Sequence, residues 1–82
     1  MDIFSMREII KVEYWCERKD YKYVTAQLKK NGFKITKVCE ELGISRSWFY
    51  DMLVGNRALS KEILLELCTY YEVVMPYCSY RD

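Results

Sequence analysis

Four cysteines, Cys16, Cys39, Cys68 and Cys78, have the most versatile chemistry in this chain, and their spacing argues against a metal site. There is no Cys-x-x-Cys pair, and the chain has no histidine to complete a tetrahedral zinc site. The sequence therefore predicts no metal and no cofactor. The missing histidine also removes the commonest general base, and no Ser, Cys or Lys has a recognisable activating partner, so the chain is read as a binding protein and not an enzyme. The thiols are expected to serve as small apolar groups in a reduced interior.

Charge is the second source of chemistry. The formal net charge is only +1, but it is unevenly placed: residues 1–17 carry a net −2, residues 18–37 a net +6 and residues 38–82 a net −3. The basic band consists of Arg18, Lys19, Lys22, Lys29, Lys30, Lys34 and Lys37 against Asp20 alone. Such a band is either a phosphate-binding stripe or the solvated face of a helix, and the run alone favours the solvated face.

A chain of 82 residues has room for one core. It is read as a single domain spanning 1–82, with an N-terminal extension at 1–19, a central part at 20–74 and a tail at 75–82. Asp2, Arg7, Glu8, Lys11 and Glu13 interrupt any signal-peptide apolar run, and no 18-residue apolar stretch exists. The expectation is a soluble, cytoplasmic protein with no membrane partner.

The elements that must position the chemistry read as short helices. Ser5 with Glu8 forms a capping box, Phe4 can staple onto Ile9, and a helix is expected from there to about Cys16–Arg18. Asp20 is a plausible N-cap for a second helix carrying Tyr21, Val24, Thr25 and Leu28, which Asn31-Gly32 stops. Three more follow at about 35–42, 46–54 and 61–73, separated by Gly43 and Gly55-Asn56-Arg57, with Ser60 capping the last. Strand signals amount to one short extended piece at Val73-Val74-Met75. The fold class is all-α: a compact bundle of four to five short helices with an extra N-terminal helix.

The informative stretch runs from Ile35 to Val54. Two helices crossing steeply through a tight turn need a residue that tolerates positive φ, a small residue where they touch and apolar residues facing inward. Gly43 meets the first requirement and Cys39 the second, while Val38, Leu42, Ile44, Phe49 and Met52 meet the third. Ser45 can cap the second helix, which leaves Arg46, Ser47, Tyr50 and Asp51 outward.

With these residues in place, the chain resembles the helix-turn-helix family of the lambda-type phage repressors, the Cro and XRE-like regulators. The likeness covers about residues 20–74: Gly55-Asn56-Arg57-Ala58-Leu59-Ser60 resembles the loop after the recognition helix, and Glu62 to Cys68 the helix that follows. Where the family commonly has Gln at the start of the helix before the turn, this chain has Ile35, and Phe49 is bulkier than the family's usual Ile or Val. Cys39 to Tyr50 is also similar to the DNA-binding segment of some insertion-sequence transposases.

The resemblance implies that the second helix enters the major groove with its N-terminal residues on base edges. Arg46, Ser47 and Tyr50 are then the base-contacting residues, Arg46 being suited to a bidentate contact with guanine, with a phosphate contact or simple solvation as its other readings. Thr36, Lys37, Ser45, Asn56, Arg57 and Ser60 become the phosphate contacts, since helix starts and the adjoining loop favour anions. Asp51 would repel phosphates unless it accepts from cytosine or pairs with Arg46 or Arg57, the pairing being favoured, and Trp48 is expected to pack against the second helix or the N-terminal helix.

Two functions of different class follow. The first is a sequence-specific regulator of double-stranded DNA, of phage, plasmid or mobile-element type, repressing as a homodimer on an inverted-repeat operator in a bacterial or phage-infected cell. The other is a helix-turn-helix module that docks on a host protein as an inhibitor, with an accessory role in recombination or transposition as a further possibility. The near-zero net charge and the Tyr-rich tail favour the protein partner, and the basic band favours DNA.

Overall fold

The computed structural model describes residues 13–81 and departs from the sequence reading at its first element. Glu13–Trp15 forms a strand, β1, where the end of a helix was expected. It pairs antiparallel with β2, Ser79–Arg81, in the register Glu13↔Arg81, Tyr14↔Tyr80 and Trp15↔Ser79. The Ser5–Glu8 capping box and the Phe4–Ile9 staple lie outside the described residues. The apolar stripe misleads over 13–17 because the partners of this segment are remote in sequence. Tyr14 faces Tyr80 on one side, and on the other its carbonyl accepts the Leu59 N–H at 2.7 Å. Aromatic residues suit such a pleated, half-buried position.

The first helix, α1 (Arg18–Lys30), begins earlier than Asp20. Glu17 is its N-cap, in an extended conformation, and Asp20 is the third helical residue, whose carboxylate reaches back 2.8 Å to accept the Glu17 N–H. The other oxygen of Asp20 accepts the Tyr77 N–H at 3.3 Å. Asp20 is fully buried, and these two bonds tie the start of α1 to the tail. Val24 and Leu28, one and two turns on, place the same face in the core. Lys29 and Lys30 sit in the last turn, where positive charge complements the helix dipole.

Asn31 and Gly32 close α1 as the sequence predicts, with Phe33 N–H returning to the Leu28 carbonyl. Helix α2 (Ile35–Leu42) then buries Val38 and Cys39. Gly43 follows in the left-handed conformation at φ +71, and Ser45 caps α3 (Arg46–Leu53) by accepting the Trp48 N–H at 3.1 Å. Helix α3 buries Phe49, Met52 and Leu53 against α1 and α2. Fully burying side chains of this size stabilises by about 1.5–3 kcal/mol each.

Helix α4 (Lys61–Thr69) is capped by the Ser60 hydroxyl, which accepts the Ile63 N–H, and it ends four residues before the expected boundary at 73. Glu72 adopts φ +55 and turns the chain so that Tyr71 and Val73 enter the core. No glycine marks this bend, which is why helical periodicity runs through it. The tail is then held on α1 by Gln27, whose amide donates to the Val74 carbonyl at 2.7 Å and accepts the Val74 N–H at 2.8 Å. Asn31 adds a bond to the Tyr71 carbonyl. The result is the small all-α bundle expected from the sequence, four helices around one core among the described residues, with a two-stranded ribbon in place of the helix end at 13–17. No helix among the described residues is long and apolar enough to cross a membrane.

Candidate nucleic-acid interface

The outward face of α3 is set by what the helix buries. With Phe49, Met52 and Leu53 turned inward, the 3.6-residue period leaves Arg46, Ser47 and Tyr50 exposed and Asp51 half-buried. Arg46 and Ser47 form the first two helical positions after the Ser45 cap. Together with Tyr21 of α1 and Ile35 of α2 they line a shallow hollow of about 480 Å³, with Tyr50 and Asp51 on its wall. The Tyr50 ring meets the Tyr21 ring edge-on at 4.9 Å, which braces it while leaving it 45% exposed.

The turn behaves as expected. Gly43 takes positive φ, and its N–H bonds to the Glu40 carbonyl. Cys39 lies buried at the helix crossing, and burial pushes its thiol up from the ordinary range while the nearby Arg46 charge pulls the other way.

The phosphate-contact residues fall into three groups. Thr36 and Lys37 are exposed on the first turn of α2. Lys37 approaches Glu40 at 3.9 Å, but with both side chains mostly in solvent this pair holds the ammonium only weakly. Ser45 and Ser60 spend their hydroxyl oxygens on helix N–H groups, and each keeps its own O–H to donate to an anion. Asn56 and Arg57 are exposed in the loop after α3, where their backbone N–H groups both bond to the Asp51 carbonyl.

Two expectations about side-chain partners are overturned. Asp51 accepts from the Asn56 amide at 3.4 Å and pairs with neither arginine. Arg46 lies five positions back, off the i, i+3 and i+4 faces of the helix, and Arg57 is engaged elsewhere. Trp48 does not pack into the bundle of described residues: it is 44% exposed, and the Arg57 guanidinium stacks 3.7 Å over its ring, while most of the expected N-terminal helix lies outside the described residues. A chain reversal through Gly55 brings these two together, and nothing local in the sequence indicates that pairing.

Sequence patterning also missed Tyr21 and Ile35 as walls of the hollow. Both carry only a core-residue signal, and they meet α3 through tertiary packing. The basic band spreads along α1 and the following turn as exposed side chains, and Lys19 is partly engaged with the Tyr77 ring at 5.4 Å. Cys68 is exposed on α4 and Cys78 is half-buried, so burial holds for Cys16 and Cys39 only.

Residues 17–50, from the α1 cap through most of α3, match the model of the bacterial regulatory protein, Fis family. No curated protein and no solved structure matches the chain. The fold and this match together define a helix-turn-helix domain of the DNA-binding kind.

Proposed function

We propose that this protein is a sequence-specific transcriptional regulator of double-stranded DNA, a repressor of phage, plasmid or mobile-element type and of lambda-repressor-like kind. It reads the major groove with α3. The observation that supports this reading is the position of Arg46 and Ser47, exposed at the capped start of α3 beside Tyr50, with Arg46 in no ion pair among the described residues. In this reading Arg46, Ser47 and Tyr50 face base edges, with Arg46 bidentate to a guanine. Thr36, Lys37, Ser45, Asn56, Arg57 and Ser60 hold the phosphates on either side.

A lone unit covers one half-site, and two-fold dimers bind half-sites about 34–36 Å apart. The proposed assembly is therefore a homodimer on an inverted repeat. Residues 13–15 are occupied by β2, so the dimer contact falls to the segment before β1, to the tail with the 70%-exposed Tyr80, or to both. Selection of bound sequences from random duplex DNA tests the whole reading. A palindromic consensus is expected, and recovery of unenriched sequence with no salt-dependent retention would overturn it.

A second reading, a protein-interaction module, has its own observation. Glu41, Glu62 and Glu66 line a hollow of about 420 Å³ with Ser60, Ile63, Tyr70 and Tyr71, and it shares no lining residue with the hollow beside Arg46. Its chemistry suits a basic, partly apolar partner. Binding to a host protein that persists at high salt and is indifferent to duplex DNA would favour it.

A further inference from the structure

Cys16 and Cys78 are not used by the DNA-facing surface. Cys16 follows β1 and Cys78 precedes β2, so continuing the Trp15↔Ser79 register by one residue sets these cysteines opposite one another. Residues opposite one another on antiparallel strands have Cα atoms about 4.5–5.5 Å apart, within the range of about 4.4–6.8 Å that a disulfide spans. The two thiols are near enough to perturb one another's ionisation. They are unequal: Cys16 is 6% exposed and packed in the core, whereas Cys78 is half-buried.

We propose that Cys16 and Cys78 form a redox-active pair, which a low-molecular-weight disulfide of the glutathione type converts into an intramolecular cross-strand disulfide. Cys78 is the entry point, being the more accessible of the two. The interaction with Cys16 holds the Cys78 thiol below its ordinary range, against the opposing effects of burial and Asp20, while that interaction and burial push Cys16 up. The Cys78 thiolate attacks one sulfur of the small disulfide, whose S–S bond breaks and releases one small thiol. Cys16 then gives up its proton, its sulfur attacks the Cys78 sulfur of the mixed disulfide, and the second small thiol leaves. Two protein thiols are oxidised, and one small disulfide is reduced to two thiols.

The bond would fasten more than the ribbon. The Cys16 carbonyl packs against Gly55, where a Cβ would lie only 2.4 Å away, and the Tyr14 carbonyl holds Leu59. Oxidation therefore clamps the β1–β2 ribbon to the loop after α3. Cys68 is the competitor, because it is exposed and close enough to Cys78 for their charges to interact.

The test is incubation of the folded full chain with oxidised glutathione, alkylation of the remaining thiols, and peptide mapping by mass spectrometry. A peptide pair linking Cys16 to Cys78 is expected, with Cys39 and Cys68 unlinked to either. The thermal midpoint should rise by about 10 °C or more and fall back on reduction. Cys16→Ser should abolish that rise and leave Cys78 carrying glutathione. A Cys68–Cys78 link, covalent dimers alone, or mixed disulfides alone on the parent chain would overturn the proposal, and the mapping of the parent chain decides it even where a serine variant fails to fold.

Discussion

The Arg57 guanidinium lies 3.7 Å over the Trp48 ring, so the loop after α3 is clasped to the first turn of the same helix. Removing either side chain should loosen the other. In a double-mutant cycle of Trp48→Ala and Arg57→Ala, urea denaturation should give a coupling of about 0.5–1 kcal/mol. Additive effects would show that the stack carries no energy.

Arg46→Ala should lower affinity for the selected DNA site by about 1–3 kcal/mol and relax the preference at one base pair. Competition between the selected duplex and a single-base variant at each position reads both effects. Parent-like affinity for the selected site would remove α3 from the base-reading role.

Lys37→Ala should weaken binding to all duplexes alike and reduce the slope of log affinity against log salt by about 1. The weak pair with Glu40 leaves that ammonium available, so the loss should be seen in DNA binding with little change in stability. A salt titration of the parent and the variant measures it.

The two glycines flanking α3 should respond differently to substitution. At Gly43 a Cβ meets nothing within 4 Å, so Gly43→Ala should cost only the left-handed conformation, about 1–2 kcal/mol, and Gly43→Val more because its side chain is β-branched. At Gly55 a Cβ would lie 2.4 Å from the Cys16 carbonyl oxygen, and backbone cannot swing aside as a flexible side chain would. Gly55→Ala should therefore be the more damaging alanine in urea or thermal melts. Equal midpoints for the two alanine variants would contradict the close approach.

Asp20→Asn should destabilise by about 1–3 kcal/mol. Both carboxylate oxygens accept backbone N–H groups, from Glu17 and Tyr77, and an amide puts a donor opposite one of those donors in a fully buried place. Chemical denaturation at neutral pH measures the loss.

The parts of the fold legible in the sequence are those encoded by neighbours. Gly43, the Ser45 and Ser60 caps and the inward spacing of Val38, Cys39, Phe49 and Met52 all act within a turn or two of chain, and the structure places each as its local chemistry predicts. What escaped depends on distant partners. Tyr14 is extended because Tyr80 and Leu59 flank it, α4 stops where Glu72 turns Val73 into the core, and Trp48 lies outward under an arginine from beyond the next turn. The outward set Arg46, Ser47 and Tyr50 was legible because it is the complement of a periodic core. The hollow they share with Tyr21 and Ile35 needed the packing of three helices.

The position of Tyr14 between Leu59 and Tyr80 also bears on the order of assembly. The four helices close through contacts over short stretches of chain, a topology that forms quickly, whereas the β1–β2 pairing joins segments separated by almost the whole described length. During synthesis, β1 emerges first among the described elements and must wait for β2, which emerges last. Until β2 arrives, the aromatic strand has only its Leu59 edge available for pairing.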